Sequence, residues 1–348
     1  MLDKSVIMSI ETSCDETSIA ILKNGKELLA NVVSSQINSH KEFGGVMPEL
    51  ASRLHLENIV YCIDQALSEA KLTIKDITLI AYTKGPGLIG ALHVGMQAAK
   101  ALSIAHNIPL LGVDHMKGHI YASRYLSDFK YPALTLVVSG GHSELVLMKG
   151  EYEFECLGET KDDAVGECYD KVSRVLGLGY PGGPIIDKLA SIGEVKYNLP
   201  YPKVEGKYDF SFSGLKTAVL NLVNNMRQKG EEFKNEDVAA SFQNKVMDIL
   251  LDKVILALKE YDIKQVMLAG GVSANRELRS EVVKRVNKFN KDIEVILPPL
   301  WCCTDNGAMT AMAAYYSDEE ESNICDCVNP KLGLNDYFII KHYLYLSF

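Results

Sequence analysis

The sequence lacks any long uninterrupted hydrophobic run. Its longest apolar helix candidate, Val246–Leu258, is interrupted by Asp248, Asp252 and Lys253. Because a membrane-spanning helix needs about 18 or more apolar residues in a row, this pattern excludes a membrane span. The first residues also lack a basic n-region and a small-residue cleavage site, so we expect a cytoplasmic protein with no membrane partner.

An excess of positive charge is lacking as well. The 348 residues contain 36 lysines and arginines against 45 aspartates and glutamates, which gives a net charge of −9. Proteins bind nucleic acids largely by neutralising phosphates with basic side chains. A nucleic-acid ligand must therefore meet a local basic patch or a partner protein. The apolar fraction of 47% excludes a wholly disordered chain, and the length favours two domains.

Several motifs of common sites are absent. The eight cysteines form no paired C-x-x-C of a structural zinc site, and we expect reduced thiols. Cys325 and Cys327 could still bind a metal, but a partly buried tail is the simpler interpretation. The chain contains no G-x-x-x-x-G-K-[ST], which excludes a P-loop. It also lacks the H-E-x-x-H of zinc proteases, because Met116 stands where the glutamate would be.

The two halves of the sequence share an order of predicted elements. Residues 7–22 and 134–148 each read as strand, polar turn and returning strand, and each half later gives strand, glycine turn, helix and strand. This parallel, at a spacing of about 127 residues, predicts an α/β fold built by duplication, although unrelated α/β segments also look alike. We predict lobes at 1–130 and 131–330, a helical insertion at about 158–260, and a tail at 331–348.

Three residues are candidate metal ligands. His115 and His119 lie four residues apart in a predicted helix, so their imidazoles share one face; two surface histidines without a ligand are an equally good interpretation of this stretch. Asp305 is either a helix N-cap or a third ligand. Two histidines and one carboxylate leave coordination positions open and suit Fe(II) or Zn(II). Since Asp305 falls in the second predicted lobe, we expect the ligands to meet across two lobes.

Glycine turns and nearby carboxylates favour a nucleotide site. Four turns could bring backbone N–H groups close to a phosphate: Gly85–Gly87, Ser139–His142, Gly179–Pro184 and Gly270–Asn275. Each alone is weak because turns need glycine, but four turns matched between the halves are harder to explain that way. Asp170 could accept hydrogen bonds from a ribose diol, or simply pair with Arg174 on its own helix. Asp187 could be a solvated side chain.

Together, eight ordered segments resemble the tRNA N6-adenosine threonylcarbamoyltransferases, once labelled O-sialoglycoprotein endopeptidases. The segments are Ser9–Thr17, His115–His119, Val138–His142, Asp162–Glu167, Gly179–Pro184, Phe210–Lys216, Gly270–Arg276 and Cys303–Ala308. Two features depart from the family's pattern. Lys117 stands where we expect an acidic residue, and the tail after Pro330 extends beyond the resemblance.

The resemblance implies the duplicated actin-like ATPase fold of sugar kinases and heat-shock proteins, with two lobes around a nucleotide cleft. It implies transfer of a threonylcarbamoyl group from threonylcarbamoyl-adenylate to N6 of the adenosine beside the anticodon. The tRNAs concerned read codons that begin with A, and AMP is released. His115, His119 and Asp305 would hold one divalent ion, preferably Fe(2+), with Zn(2+) as the alternative. The adenylate would be bound by Val138, Ser139, Gly140, Gly141, His142, Asp170, Gly183, Asp187 and Asn275.

The resemblance also bears on catalysis and partners. The N6 amine of adenine is a poor nucleophile, and Glu11 in the first turn is the candidate to orient or deprotonate it. Besides tRNA, the implied partners are a shorter paralogous subunit (TsaB-like) and a small P-loop ATPase (TsaE-like). The alternative from another class is a regulatory or chaperone-type ATPase of the same fold, which needs no His–His–Asp group. Proteolysis ranks third.

Overall fold

The computed structural model describes residues 2–334, and most of the predicted tail at 331–348 lies outside the described residues. The chain forms two compact units. The first contains residues up to Asp128 together with the segment from Thr304, and the second is Phe129–Cys303. This division differs from the predicted lobes, because residues 304–330 belong with the first unit and not with the second.

Each unit contains one five-stranded mixed sheet. The strands are β1 (Val6–Glu11), β2 (Glu16–Lys23), β3 (Glu27–Ser35), β4 (Leu79–Gly85), β5 (Leu110–Asp114), β6 (Ala133–Val138), β7 (Ser143–Gly150), β8 (Glu153–Glu159), β9 (Gln265–Ala269) and β10 (Glu294–Ile296). The strand orders are β3-β2-β1-β4-β5 and β10-β9-β6-β7-β8. Each strand of one sheet has a counterpart five strands later in the other, which confirms the predicted duplicated α/β fold.

The helices differ more between the two units than the sheets do. The α-helices are α1 (Ile37–His40), α2 (Pro48–Ala70), α3 (Ile89–His106), α4 (His115–Tyr121), α5 (Val165–Val175), α6 (Gly182–Ala190), α7 (Ser213–Lys229), α8 (Asn235–Glu260), α9 (Arg276–Phe289), α10 (Leu300–Cys303) and α11 (Gly307–Tyr316). Four helices, α5 to α8, follow β8, whereas α1 and α2 follow the matching strand β3. None of the described helices combines the length and apolarity needed to cross a membrane.

The first sheet is buried on both faces because helices cover it on both sides. Met8 and Ile10 of β1 pack in one cluster with Ile59 of α2 and Ala99 of α3. Ser9, between them, points to the opposite face and donates a hydrogen bond to Gly307 O in α11 at 2.7 Å. The alternation of a strand thus directs apolar side chains to α2 and α3, and a small polar one to α11.

The segment after α11 covers part of the β5 edge of the first sheet. Ser322 N donates to Leu110 O at 2.7 Å, and Gly112 N donates to Ser322 Oγ at 2.8 Å. Further on, Asn329 N donates to Lys84 O at 2.8 Å. The two bonds of Ser322 satisfy backbone groups of the edge strand β5 that would otherwise be exposed, and the bond of Asn329 reaches the neighbouring strand β4.

The same segment occupies one of the four glycine turns. Gly87 N donates to Pro330 O at 3.3 Å, and Asn329 O lies directly where a Cβ of Gly85 would be. The glycines of Gly85–Gly87 are therefore needed for the approach of the chain's own backbone. The prediction of a phosphate at this turn is not supported.

The approach of α11 to β2 yields a stability prediction. A Cβ on Gly307 would lie 2.6 Å from Ala20 N, a backbone atom. We expect Gly307→Ala to lower the unfolding free energy of the first unit by about 2 kcal/mol, measured by urea titration. The control is Gly214→Ala in α7, where a Cβ meets nothing within 4 Å and we expect no loss. Equal stability of the two variants would contradict the close contact.

Candidate functional site

Helix α4 carries two of the three candidate metal ligands. It begins directly after β5, where the Asp114 side chain accepts a hydrogen bond from Lys117 N at 2.9 Å and caps the helix. One turn of helix separates His115 from His119, and their ring centroids lie 4.7 Å apart. The two side chains are 7% and 1% exposed. They are therefore buried, and the alternative of two surface histidines does not apply.

Asp305 is brought to α4 by the start of α11. Ser18 Oγ accepts a hydrogen bond from Gly307 N at 2.8 Å, which together with the Ser9 bond fixes this helix end on β1 and β2. Asn306 caps the helix, because its side chain accepts a hydrogen bond from a backbone N–H of the first turn. The N-cap interpretation of Asp305 is therefore wrong, and its carboxylate is left to face the two imidazoles.

The three side chains converge closely enough to be candidate ligands to one ion. Asp305 Oδ1 lies 3.6 Å from His115 Nε2 and 3.1 Å from His119 Nε2. The three ligand atoms all lie within 4.8 Å of one another. Ligands bonded at about 2.1 Å to one ion lie about 3–3.5 Å apart. All three residues belong to the first unit, so the prediction of ligands meeting across two lobes is wrong.

The buried imidazole of His119 supports a cation at this position. Nε2 lies 3.1 Å from Asp305 Oδ1, but neither ring nitrogen makes a hydrogen bond of suitable geometry to the described residues, although only 1% of the residue is exposed. A buried polar atom without a partner costs free energy and often marks the place of an ion. A metal ion held with Asp305 would give Nε2 that partner.

Glu11 lies behind His115. Its Oε1 accepts from Ser13 N at 2.6 Å, and its Oε2 accepts from the Thr83 hydroxyl. Oε2 also lies 3.3 Å from His115 Nδ1, which is 3.1 Å from Ser13 Oγ. Such contacts to the far nitrogen of an imidazole fix its orientation toward a metal. Glu11 is fully buried on the Nδ1 side of His115, and its role toward an incoming amine stays a prediction.

Negative charge is in excess around these ligands. Burial raises the pKa of Glu16 to about 10, and the charges of Asp15 and Asp305 act in the same direction. Burial alone would lower the pKa of His115, but Asp305 and Glu11 outweigh it and raise that pKa to about 9. Both shifts mean that this region favours added positive charge, which a divalent cation would supply.

Most of the predicted adenylate-binding residues lie in the second unit where β6 and β9 end. These strands pair in parallel, so their carboxyl ends meet at one edge of the sheet. After Val138, the turn is closed by Ser139 N donating to His142 O at 2.8 Å. After β9, Gly270 has φ +84 and packs against the carbonyl of Val138. Gly166 N of α5 donates to Ser139 O at 3.1 Å and joins this helix to the turn.

Three glycines in this region leave their backbone accessible. A Cβ on Gly140, Gly141 or Gly183 would meet no atom within 4 Å. A ligand can therefore approach their peptide groups closely. Val138 is fully buried, so only its backbone is available for contact.

The predicted polar residues are held by specific partners. Asp170 Oδ1 accepts from Gly182 N at 2.7 Å, which fixes the first turn of α6. Asp187 pairs with Arg276 Nε at 2.9 Å. Asn275 caps α9 through a hydrogen bond from a backbone N–H at 2.9 Å. Asp187 and Asn275 are further joined through Gln243, a residue that no motif in the sequence marks.

Lys117 joins α4 to the segment after α11. Its Nζ lies 2.9 Å from Glu319 Oε1, and both side chains are 14% exposed. An acidic residue is expected at position 117, where this chain has a lysine. Glu319 places a negative charge beside that lysine. The pair ties the helix that carries the histidines to the chain that follows Asp305.

Comparison with known proteins identifies the family. The family model described as "TsaD: tRNA N6-adenosine threonylcarbamoyltransferase" matches residues 27–312. A Bacillus subtilis protein of the name tRNA N6-adenosine threonylcarbamoyltransferase is 57% identical over 317 residues, 90% of this chain and 91% of its own. A Listeria welshimeri protein of the same name is 52% identical over 339 residues, 97% and 98% of the two chains. The chain belongs to this family.

Solved structures agree on the fold of this family member. Full-length HypF, in a phosphate- and nucleotide-bound form, matches 91% of this chain and 56% of its own with a TM-score of 0.58 and 16% identity. The Acidaminococcus fermentans (R)-2-hydroxyglutaryl-CoA dehydratase component A matches 90% and 96% of the two chains, with a TM-score of 0.52 and 14% identity. Such identities concern the fold alone, and they confirm the predicted actin-like ATPase fold.

The candidate metal ligands of this family member can be tested directly by measuring metal binding. We expect the chain to bind one Fe(2+) or Zn(2+), and His119→Ala to weaken that binding by at least about 100-fold, since even outer-shell changes cost 10–100-fold. Metal content after dialysis gives the measurement. The control is His106→Ala, an exposed histidine at the end of α3. Equal metal content in His119→Ala and His106→Ala would show that His119 is not a metal ligand.

The Lys117–Glu319 pair yields a second prediction. We expect Lys117→Glu to lower stability by about 2 kcal/mol, because two partly buried carboxylates would face each other. Adding Glu319→Lys should restore most of the thermal midpoint. Lys284→Glu is the control, since Lys284 is 73% exposed and such pairs contribute little. A double variant no more stable than Lys117→Glu would show that the pair is unimportant.

Proposed function

We propose that this chain transfers a threonylcarbamoyl group from threonylcarbamoyl-adenylate to N6 of the adenosine adjacent to the anticodon. The tRNAs are those that read codons beginning with A, and AMP leaves. The observation that carries the proposal is family membership, with relatives of that name at 52% and 57% identity over at least 90% of the chain. The chain is accordingly an acyltransferase of tRNA modification.

The reaction needs both an activated carbonyl and stabilisation of the charge that develops. The lone pair of the N6 amine is delocalised into the ring, so attack requires AMP as a good leaving group and groups that stabilise an oxyanion. His115, His119 and Asp305 would hold a divalent ion, preferably Fe(2+), with Zn(2+) as the alternative. When bound, such an ion supplies a Lewis acid. Glu11 would keep His115 turned toward it.

The second unit would bind the adenylate. The backbone of the turn Ser139–His142 and of Gly183 is open to close approach by a phosphate, and Gly183 lies in the first turn of α6, where the helix dipole favours an anion. Asp170 holds that turn in place through Gly182 N. Asp187 and Asn275 would contact the nucleoside.

The charge of the chain supports partners in tRNA binding. With a net charge of −9, the chain is poorly suited to neutralise many phosphates by itself. A shorter paralogous subunit (TsaB-like) and a small P-loop ATPase (TsaE-like) would complete the enzyme, and the chain alone would turn over slowly. Since tRNA resides in the cytoplasm of bacteria such as those of the relatives, we place the chain there.

The test is mass spectrometry of nucleosides from unmodified tRNA incubated with threonylcarbamoyl-adenylate, the chain and both partners. We expect threonylcarbamoyladenosine from the wild type, and at least about 100-fold less from Asp305→Asn, because loss of a charged ligand weakens the metal. Asp292→Asn, an exposed aspartate before β10, is the control and should retain activity.

Two results would contradict the proposal. Unmodified tRNA with all partners present would remove the transferase assignment. Nucleotide hydrolysis without tRNA modification would favour a regulatory or chaperone-type ATPase of the same fold. Full turnover by the chain alone would contradict only the need for partners.

A further inference from the structure

We propose that Gln243 is a positioning residue that orients Asp187 and Asn275 for the nucleotide. The inference rests on the proposed function, since these two residues are its candidate adenylate contacts. Gln243 lies on α8 and is 1% exposed, so it would act through the two side chains and without touching the ligand.

The amide of Gln243 uses all of its hydrogen-bonding capacity. Its Nε2 donates to Asp187 Oδ1 at 3.2 Å and to Glu277 Oε2 at 2.8 Å. Its Oε1 accepts from Asn275 Nδ2 at 2.8 Å and from the Tyr169 hydroxyl at 3.2 Å. A side-chain amide has two donors and two lone pairs, and each has one partner here.

The partners also fix which way the amide points. The nitrogen faces two carboxylates, and a flipped amide would place its oxygen against both of them. An amide side chain can donate to Asp187 and accept from Asn275 at the same time. A glutamate would bring a third carboxylate next to Asp187 and Glu277, and a methionine would offer neither a donor nor a strong acceptor.

Gln243 is the more constraining partner of Asp187. The other partner, Arg276, is 63% exposed at its side chain, and exposed ion pairs hold a carboxylate weakly. The bond from Gln243 is partly buried and comes from a residue that is 1% exposed, and a hydrogen bond shielded from water is electrostatically stronger. Without it, Asp187 Oδ1 loses its buried donor and its orientation is no longer set before the ligand arrives.

Asn275 depends on Gln243 in the same way. Its Oδ1 is used by the cap of α9, and its Nδ2 is directed by Gln243 Oε1. The network joins helices α5, α6, α8 and α9, so the two candidate contacts from α6 and the start of α9 are held by one amide. Preorganised side chains of this kind improve affinity because less freedom is lost on binding.

The test uses the full chain and AMP as the nucleotide probe. We expect Gln243→Met to raise the AMP dissociation constant by about tenfold in calorimetric titration, as for the loss of one to two buried hydrogen bonds. With both partners present, KM for the adenylate should rise by a similar factor while kcat changes less than twofold. Gln243→Glu keeps the shape and packing, and it decides the question if Gln243→Met fails to fold; it too should weaken AMP binding.

The matched control is Gln265→Met. Gln265 is also a fully buried glutamine of the second unit, but its amide bonds to Lys130 N and Glu294. We expect this variant to lower the thermal midpoint yet leave AMP affinity within twofold. If Gln243 is a positioning residue, Gln243→Met and Gln265→Met should differ in AMP affinity while their thermal midpoints fall by similar amounts.

The outcomes distinguish the inference from the proposed function. If Asp187→Asn weakens AMP binding but both Gln243 variants bind AMP like Gln265→Met, the positioning role is wrong and the adenylate site stands. If the wild type binds no AMP, or if Asp187→Asn binds it unchanged, the proposed adenylate site is wrong and the role of Gln243 falls with it.

Discussion

The contact between the first turn of α11 and strand β2 is the constraint on which the candidate metal site depends. Gly307 approaches the backbone of Ala20 too closely for any side chain, and the hydroxyls of Ser9 and Ser18 bind its peptide groups. These contacts place Asp305, two residues earlier, against the histidines of α4. Two segments about 190 residues apart in the chain thus provide one set of candidate ligands. They do so because these contacts prevent α11 from shifting along the first sheet.

Local signals in the sequence were sufficient for most of the fold. Helix α2 spans Pro48–Ala70 as its apolar periodicity and N-terminal proline indicate, and the strands β1 and β2 flank the polar turn as predicted. Duplication was also visible, since the order of strands and glycine turns repeats. These features depend on residues close in sequence, where the spacing of apolar residues and the residue types of the turns determine the secondary structure.

Features that depend on distant contacts could not be predicted in the same way. Dividing the chain by order assigned Asp305 to the second lobe, because nothing local shows that α11 returns to the first sheet. The sequence pattern assigns Glu11 to a polar turn, yet it is the last residue of β1 and its carboxylate is buried against Thr83 and the backbone of Ser13. Gln243 is one of several polar residues in α8, and nothing in the sequence separates it from the exposed ones. The histidine spacing did predict that His115 and His119 lie side by side, because i and i+4 share a helix face whatever the tertiary context.

The segment over β5 limits how this chain can assemble with others. Ser322 already pairs with Leu110 and Gly112 along the outer edge of that strand, and Asn329 continues the coverage at Lys84. A foreign polypeptide that added a strand beside β5 would therefore have to displace Ser322 from these bonds. A partner that approaches this edge and leaves Ser322 in place must recognise side chains instead, which makes its selection a matter of sequence and not of generic backbone pairing.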